Sequence, residues 1–270
     1  MVILMVRGKF GRKGKTKVVK TTKNKTLNLN NHVPLIYRQA LSSFLKDSRN
    51  EFIYKGGRGS VKSSIAALKV VLTVVQERGN SICIRRYKTT LKDSCYADVE
   101  QVIARLGYTE DFKFVKSPME IRHKSGYIIY FRGLDSPTKI KSIRPKRGVF
   151  KTAWFEEADE ITSYADLLSV KLSLSRGIGN RLTTVITYNP PESPLEWTNK
   201  EFEQNIDPKR FILHTTYHDV PPEWLGDIFF HEAEKMRVND YETYLNVFEG
   251  KIVSGRTTIF YHSLSYPRIR

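Results

Sequence analysis

The chain has 270 residues, of which 40% are hydrophobic and 11% aromatic, and this composition argues against a disordered protein. It contains neither an apolar run long enough to span a membrane nor a secretory leader, so we expect a soluble, cytoplasmic protein. Lys and Arg number 45 against 28 Asp and Glu, a formal charge of +17, which predicts a polyanionic partner, most often nucleic acid.

The N-terminal segment is strongly basic. Eleven Lys or Arg precede Asp47, the first acidic residue of the chain. Residues 1–31 lack a sustained apolar period, so we predict a flexible basic arm there. Such an arm either contacts DNA or a partner, or is a solvated tail upstream of the ordered domain.

From His32 onward the pattern of hydrophobic and polar residues is that of a folded domain. Strands are predicted at 51–54, 81–86, 148–161, 181–191 and 210–217, with a hairpin at 119–134. Helices are predicted at 62–78 with Gly79 as C-cap, and at 90–106, 163–175, 194–204, 222–237 and 239–248. Strands that alternate with helices indicate an α/β fold with a mostly parallel central sheet flanked by helices.

The segment YKGGRGSVKSS, residues 54–64, has the order of a phosphate-binding loop between a strand and a helix. In such a loop the backbone N–H groups face phosphates, a lysine contacts the terminal phosphates and a hydroxyl holds Mg²⁺. The candidate nucleotide-binding residues are Gly56, Gly57, Arg58, Gly59, Ser60, Val61, Lys62, Ser63 and Ser64. Val61 stands where glycine is usual, and costs roughly 1–2 kcal/mol if its φ is positive. The alternative is a glycine-rich turn before a helix.

The segment VFKTAWFEEADE delivers two adjacent carboxylates at the end of an apolar strand. In a phosphoryl-transfer site one carboxylate organises Mg²⁺ and the other activates the attacking water. Glu156 occupies the metal position, where Asp is more usual, and Glu157 the catalytic position. The alternative is a solvated strand end.

The segment TTVITYNPP ends a further strand in polar residues followed by two prolines. Thr187 and Asn189 carry groups that bind phosphate or water, which suits a γ-phosphate sensor. An ordinary strand-to-turn transition uses the same residues.

In their order and spacing, YKGGRGSVKSS, TAWFEEADEI and TYNPP resemble the ATPase domain of tailed-phage terminase large subunits, and the PBSX-type family most closely. The likeness covers roughly residues 35–250, with GLDSPTKIKSI and IRRYKTTLKDSCYADV resembling that family's connecting segments. The resemblance implies a P-loop NTPase fold of the RecA/ASCE type, with ATP and Mg²⁺ as ligands. It implies an ATP-driven motor that moves double-stranded DNA into a procapsid in the cytoplasm of the host cell.

The resemblance also implies roles and partners. Lys62 and Ser63 would bind phosphate and Mg²⁺, Glu157 would be the catalytic glutamate, and Arg58 would sense the γ-phosphate. TYNPP would couple hydrolysis to movement. Implied partners are non-specific duplex DNA, a small terminase subunit and a portal protein. The active form would be a homo-oligomeric ring, with a monomer as the alternative in isolation. An arginine acting on a neighbouring subunit would be one of Arg85, Arg86, Arg144 and Arg147.

We divide the chain into a basic arm (1–31), an ATPase domain (32–250) and a linker or truncated start of a nuclease domain (251–270). Residues 251–270 contain no Asp or Glu, whereas two-metal cleavage of DNA needs several carboxylates, so we predict no nuclease activity. Two other functions stay open. One is another P-loop DNA motor, such as a helicase-like or partition ATPase. The other is a non-hydrolysing DNA-binding assembly protein, which Val61 and Glu156 would permit.

Overall fold

The structure is a computed structural model that describes residues 49–135, 140, 142–177 and 181–253. The predicted arm and nearly all of the predicted C-terminal linker lie outside these residues. The described strands are β1 (Glu51–Gly56), β2 (Asn80–Arg85), β3 (Phe112–Lys116), β4 (Met119–His123), β5 (Ile128–Gly133), β6 (Phe150–Phe155), β7 (Thr183–Tyr188) and β8 (Arg210–Thr215).

These strands form one 8-stranded sheet in the order β3-β4-β5-β2-β6-β7-β1-β8. All neighbours from β5 to β8 pair in parallel, while β3–β4 and β4–β5 pair antiparallel. The predicted mostly parallel sheet and the hairpin over 119–134 are therefore confirmed. Strand β3 was not predicted, because its FKFVK sequence is short and interrupted by two lysines.

The longer helices are α1 (Lys62–Val75), α2 (Ala97–Arg105), α3 (Tyr164–Leu174) and α4 (Asp227–Asn239). A shorter helix, α5 (Tyr241–Val247), follows α4, and a helical segment of mixed type covers residues 197–204. No helix in the described part of the chain is both long and apolar enough to cross a bilayer.

Two predicted helices are shorter than expected. Helix α1 ends at Val75 with Gln76 as its C-cap, so the prediction of a Gly79 cap was wrong. Arg78, at φ 53°, makes the left-handed turn that leads into β2. The helix predicted over 90–106 is regular only in α2, because Ser94 departs from helical geometry and its Oγ donates to Thr90 O at 2.8 Å.

The sheet separates two apolar cores, and successive side chains of β1 belong to one core and then to the other. Its Phe52 and Tyr54 face the core that contains α1 and α2, whereas Ile53 between them faces the core that contains α3. This alternation follows from the two-residue period of a strand. With helices covering both faces, the strands are buried, and the functional groups lie where the strands end.

Candidate active site

The ends of four parallel strands bring the predicted site residues together. Strands β2, β6, β7 and β1 are neighbours in that order and run parallel, so their carboxyl ends meet at one edge of the sheet. The glycine-rich loop follows β1, the two glutamates follow β6, and Asn189 follows β7. Binding sites in parallel α/β sheets form at this edge.

The loop needs its first two glycines because other backbone lies against them. A Cβ on Gly56, whose φ is 151°, would lie 1.7 Å from Thr215 O in β8. A Cβ on Gly57 would lie 1.8 Å from Phe248 O, just after α5. The Arg58 N–H also donates to Val247 O at 2.9 Å. The loop is thus held between β8 and the C-terminal end of α5.

Val61 adopts the left-handed conformation, with φ 51° and ψ 23°, directly before α1. The open question in the sequence is therefore answered: this position requires positive φ, and the β-branched side chain is strained there. Val61 offsets part of that strain by packing against the apolar core under α1.

Because of this geometry, we expect Val61→Gly to be more stable than Val61→Ala. A left-handed residue costs about 1 kcal/mol more for alanine than for glycine. Ala67, inside α1, is the matched control, since glycine in a helix interior is less stable than alanine by about 0.5–1 kcal/mol. Chemical denaturation of the variants measures both differences. Alanine being the more stable at both positions would contradict the left-handed geometry.

Lys62 is held at the centre of the loop by oxygen atoms. Its Nζ donates to Asn189 Oδ1 at 2.6 Å and to the Gly56 and Gly57 carbonyls at 3.3 and 3.1 Å. Burial lowers the pKa of Lys62 to about 8, although the Glu156 and Asp159 carboxylates oppose this shift. An anionic ligand at the loop would favour the charged ammonium.

Ser63 and Thr187 hold the Glu156 carboxylate from two sides. Ser63 Oγ donates to Glu156 Oε1 at 2.6 Å, and Thr187 Oγ1 donates to Glu156 Oε2. Trp154 Nε1 donates to Thr187 Oγ1 at 2.8 Å, which fixes that hydroxyl. Thr187 is therefore buried behind Glu156, whereas Asn189 reaches Lys62. Of the two residues predicted as sensors, Asn189 lies beside the loop.

The Ser63–Glu156 pair has the chemistry of a magnesium site. Burial raises the pKa of the Glu156 carboxyl, opposed by the hydrogen bonds from Ser63 and Thr187, so a nearby cation would favour its charged form. A hydroxyl and a carboxylate are hard oxygen ligands of the kind that Mg²⁺ prefers. Ser63 and Glu156 are the residues that would hold the ion, which would neutralise phosphate charge when bound.

Glu157 is directed away from this pair. Its backbone is left-handed, at φ 47° and ψ 58°, where the chain leaves β6. Its carboxylate forms an ion pair with Arg85 at the end of β2. Arg86 donates to Glu160 O at 2.9 Å and to Thr162 Oγ1. Two of the arginines considered for a role in a neighbouring subunit are thus engaged within their own chain.

The remaining predicted loop residues surround Lys62. Arg58 is exposed, and its charge is close enough to lower the pKa of Lys62. Ser60 is buried and its Oγ donates to Gly57 O at 2.9 Å. Gly59, at φ 77°, lies against the Phe229 ring of α4. Ser64 lines a groove beside the loop together with Val61, Leu68, Arg105 and Trp224.

Two features of the site were missed in the sequence. The first is Asp159, which follows the two glutamates by two positions. It is partly buried near Lys62, and burial raises the pKa of its carboxyl despite hydrogen bonds from backbone N–H groups, one of them that of Asn189. The second is the support of the loop by α4 and α5. Both depend on packing between distant segments, for which the sequence carries no local signal.

The sequence of this chain is similar to those of phage terminase large subunits. A family model described as phage terminase large subunit matches residues 48–251. The terminase large subunit of Bacillus phage SPP1 is 29% identical over 215 residues, which cover 78% of this chain and 50% of that protein. The PBSX phage terminase large subunit of Bacillus subtilis strain 168 is 31% identical over 179 residues, 66% of this chain and 40% of that protein. The chain spans half or less of the length of these curated relatives.

Solved structures of a phage large terminase share the fold of this chain. The large terminase of a thermophilic bacteriophage matches with a TM-score of 0.66 at 16% identity, over 82% of this chain and 53% of that one. Structures of the same phage protein in complex with ADP and with ATP-γ-S match with TM-scores of 0.64 and 0.61. At this identity the likeness shows the fold, which is that of a P-loop NTPase.

Proposed function

The chain belongs to the phage terminase large subunit family, and from this premise we propose that it contains the ATP-hydrolysing motor domain of a viral DNA-packaging machine. Hydrolysis at the loop would drive the translocation of double-stranded DNA into a procapsid. ATP would be the substrate and Mg²⁺ the metal. Phosphate release from ATP, measured for the wild type beside Lys62→Ala and Glu157→Gln, tests the proposal.

One observation carries this proposal. Lys62 meets Asn189 at 2.6 Å across 127 positions of sequence, and Ser63 meets Glu156 at 2.6 Å across 93 positions. Three segments, each with its own candidate motif, thus converge on one point at the edge of the sheet. If the glycine-rich segment were only a turn before a helix, a lysine, a hydroxyl, a carboxylate and an amide would not be expected to lie together beside it.

The residues would divide the work of phosphoryl transfer as follows. The loop N–H groups and Lys62 would bind the phosphates, while Ser63 and Glu156 would hold Mg²⁺. Glu157 would orient and activate the attacking water. Asn189 would exchange its contact with Lys62 for one with the γ-phosphate or the water, and Arg58, which is exposed on the loop, would reach the γ-phosphate from the solvent side.

The alternative of a degenerate, non-hydrolysing site is less well supported. It was motivated by Val61 and Glu156, yet Val61 adopts the backbone conformation that a glycine would adopt there. The longer glutamate at the metal position is placed by two hydroxyl groups, so that its carboxylate meets Ser63. Neither departure from the usual motif disturbs the arrangement around Lys62.

We further propose that residues 32–250 form the ATPase domain, in keeping with the family match over 48–251. A homo-oligomeric ring, a portal protein and a small terminase subunit would be its partners at the procapsid in the host cytoplasm. The lack of nuclease activity in this chain stays a prediction. A supercoiled plasmid incubated with the protein and Mn²⁺ tests it.

We expect duplex DNA to bind weakly, without sequence preference, and with steep salt dependence, because the chain carries a +17 charge. If the basic arm contacts phosphates, replacing Lys13, Lys15, Lys17 and Lys20 by glutamine makes the negative slope of log affinity against log salt less steep. The decrease is about 0.9 for each phosphate that the variant no longer neutralises. Fluorescence anisotropy at several salt concentrations measures the slope.

The matched control for this prediction removes the same charge from the folded domain. Lys113, Lys200, Lys209 and Lys235 are exposed, so their replacement by glutamine changes the net charge equally. A slope that changes no more in the arm variant than in this control would assign no phosphate contacts to the arm.

A further inference from the structure

Asn189 lies in the proline-rich turn NPPESP, residues 189–194, which directly follows β7. Pro190 and Pro191 have no backbone N–H, so the turn has few main-chain donors of its own. Its carbonyl groups still need partners, because an unpaired buried polar group is costly. Pro190 is buried and Pro191 half-buried, and two side-chain amides from other segments donate to their carbonyl groups.

The first of these amides is that of Asn199, which lies in the helical segment 197–204 and is fully buried. Its Nδ2 donates to Pro191 O at 2.9 Å and to Ser193 O at 2.8 Å, so both amide hydrogens bind the turn. Because a carbonyl oxygen only accepts, the amide must present its NH₂ group to both partners. Its Oδ1 is buried and has no hydrogen-bond partner among the described residues, so the bonds to the turn are those this side chain makes there.

The segment that carries Asn199 is itself attached to the ends of the central strands. Trp197 Nε1 donates to Ile161 O at 2.7 Å, in the loop that follows the two glutamates after β6. The Phe202 ring packs against Tyr188, the last residue of β7, with 5.5 Å between the ring centroids. The amide of Asn199 therefore holds the turn from a support fixed to the sheet.

Asn246 in α5 holds the turn at a second point. Its Nδ2 donates to Pro190 O at 2.8 Å and to Lys251 O at 2.9 Å. The next residue, Val247, accepts the Arg58 N–H at 2.9 Å. The turn and the glycine-rich loop are thus both attached to the same end of α5, and this shared attachment fixes one relative to the other.

From these contacts we propose that Asn199 and Asn246 are positioning residues for ATP hydrolysis, and that they act through Asn189. By fixing the turn, they hold Asn189 Oδ1 beside the Lys62 ammonium, 2.6 Å from its Nζ. The same restraint directs the Asn189 side chain to the γ-phosphate or the attacking water when ATP is bound. This inference rests on the proposed ATPase function and adds two residues to the same site.

Asn199→Ala is expected to lower kcat for ATP hydrolysis about 10- to 100-fold, because displacement of a site residue by about 1 Å costs up to about 10²-fold in rate. KM for ATP is expected to stay within about twofold of the wild type, since the loop N–H groups and Lys62 remain in place. Phosphate release at varied ATP concentrations measures both. Asn239→Ala is the matched control, because the Asn239 amide donates to Lys235 O at 2.8 Å within α4, and it should change neither quantity.

A double-mutant cycle with Asn189→Ala separates positioning from general weakening of the site. If Asn199 acts through Asn189, Asn199→Ala lowers kcat less than about twofold in a chain that already carries Asn189→Ala. An equal loss of kcat in both backgrounds, an unchanged kcat in Asn199→Ala alone, or a rise in KM would overturn the proposal. If Asn189→Ala turns over too slowly to measure, the comparison of KM with kcat in Asn199→Ala decides.

If Asn199→Ala does not fold, Asn246→Ala decides, because Asn246 is only half-buried and its loss leaves the contact between Arg58 and Val247 in place. Reduced kcat at unchanged KM supports the proposal, and unchanged kcat or a raised KM overturns it. A wild type that hydrolyses ATP, with kcat unchanged in these variants, rejects the positioning role alone. Absence of hydrolysis in the wild type rejects the proposed function and this inference with it.

Discussion

Glu157→Gln is expected to reduce ATP turnover by about 10²–10⁴-fold while ATP binding stays within a few-fold of the wild type. Glutamine keeps the shape of the side chain but cannot accept a proton from the attacking water. Glu157 is directed away from Lys62 and Ser63, so its replacement leaves the phosphate-binding groups in place. Binding is measured with a fluorescent ATP analogue, and turnover by phosphate release.

The control for this variant is Glu110→Gln, which removes an exposed carboxylate far along the chain from the loop. It changes the net charge equally and should leave both quantities unaltered. An equal loss of binding and turnover in Glu157→Gln would show that Glu157 supports the fold of the site and does not act on water. Thermal melting of each variant separates this outcome from general unfolding.

Lys62→Ala is expected to weaken ATP binding about 10- to 100-fold, the range for loss of a hydrogen bond to a charged group, and to abolish measurable turnover. The ammonium now bonded to Asn189 and two loop carbonyls would otherwise contact phosphates. Both binding and catalysis decrease, in contrast to Glu157→Gln. Lys55→Ala is the control, because Lys55 lies near the end of the same strand but pairs with Glu203.

If Lys62→Ala bound ATP as tightly as Lys55→Ala does, the loop would not be the phosphate site. The groove beside Ser64 would then have to be tested for the nucleotide. Comparing ATP binding and turnover in Glu157→Gln and Lys62→Ala therefore shows separately which residue is needed for binding ATP and which for hydrolysing it.

Much of the fold was predictable because local patterns and topology agree. Alternating strands and helices indicated a parallel sheet, and the carboxyl ends of parallel strands share one edge. The loop after β1, the glutamates after β6 and Asn189 after β7 all lie at that edge. The family indicated by these motifs is confirmed by the match over residues 48–251.

Other features depend on contacts that no local pattern encodes. Phe248, Phe229 and Val247 support the glycine-rich loop from a distant part of the sequence, and nothing in the loop itself indicates them. The Arg85–Glu157 pair depends on β2 lying next to β6, although neither strand follows the other in the chain. The backbone conformation of Val61 was left open because a valine gives no indication of positive φ.

The measurement that most directly tests the central claim is steady-state phosphate release from ATP by the wild-type chain, with Mg²⁺ and with the metal removed by chelation. We expect slow turnover that requires Mg²⁺, because Ser63 and Glu156 would hold the ion beside Lys62. The Glu157→Gln protein, purified in parallel, sets the background. Turnover that exceeds this background only when Mg²⁺ is present would support the site described here. Turnover equal in the wild type and in Glu157→Gln, or unchanged by chelation, would contradict it.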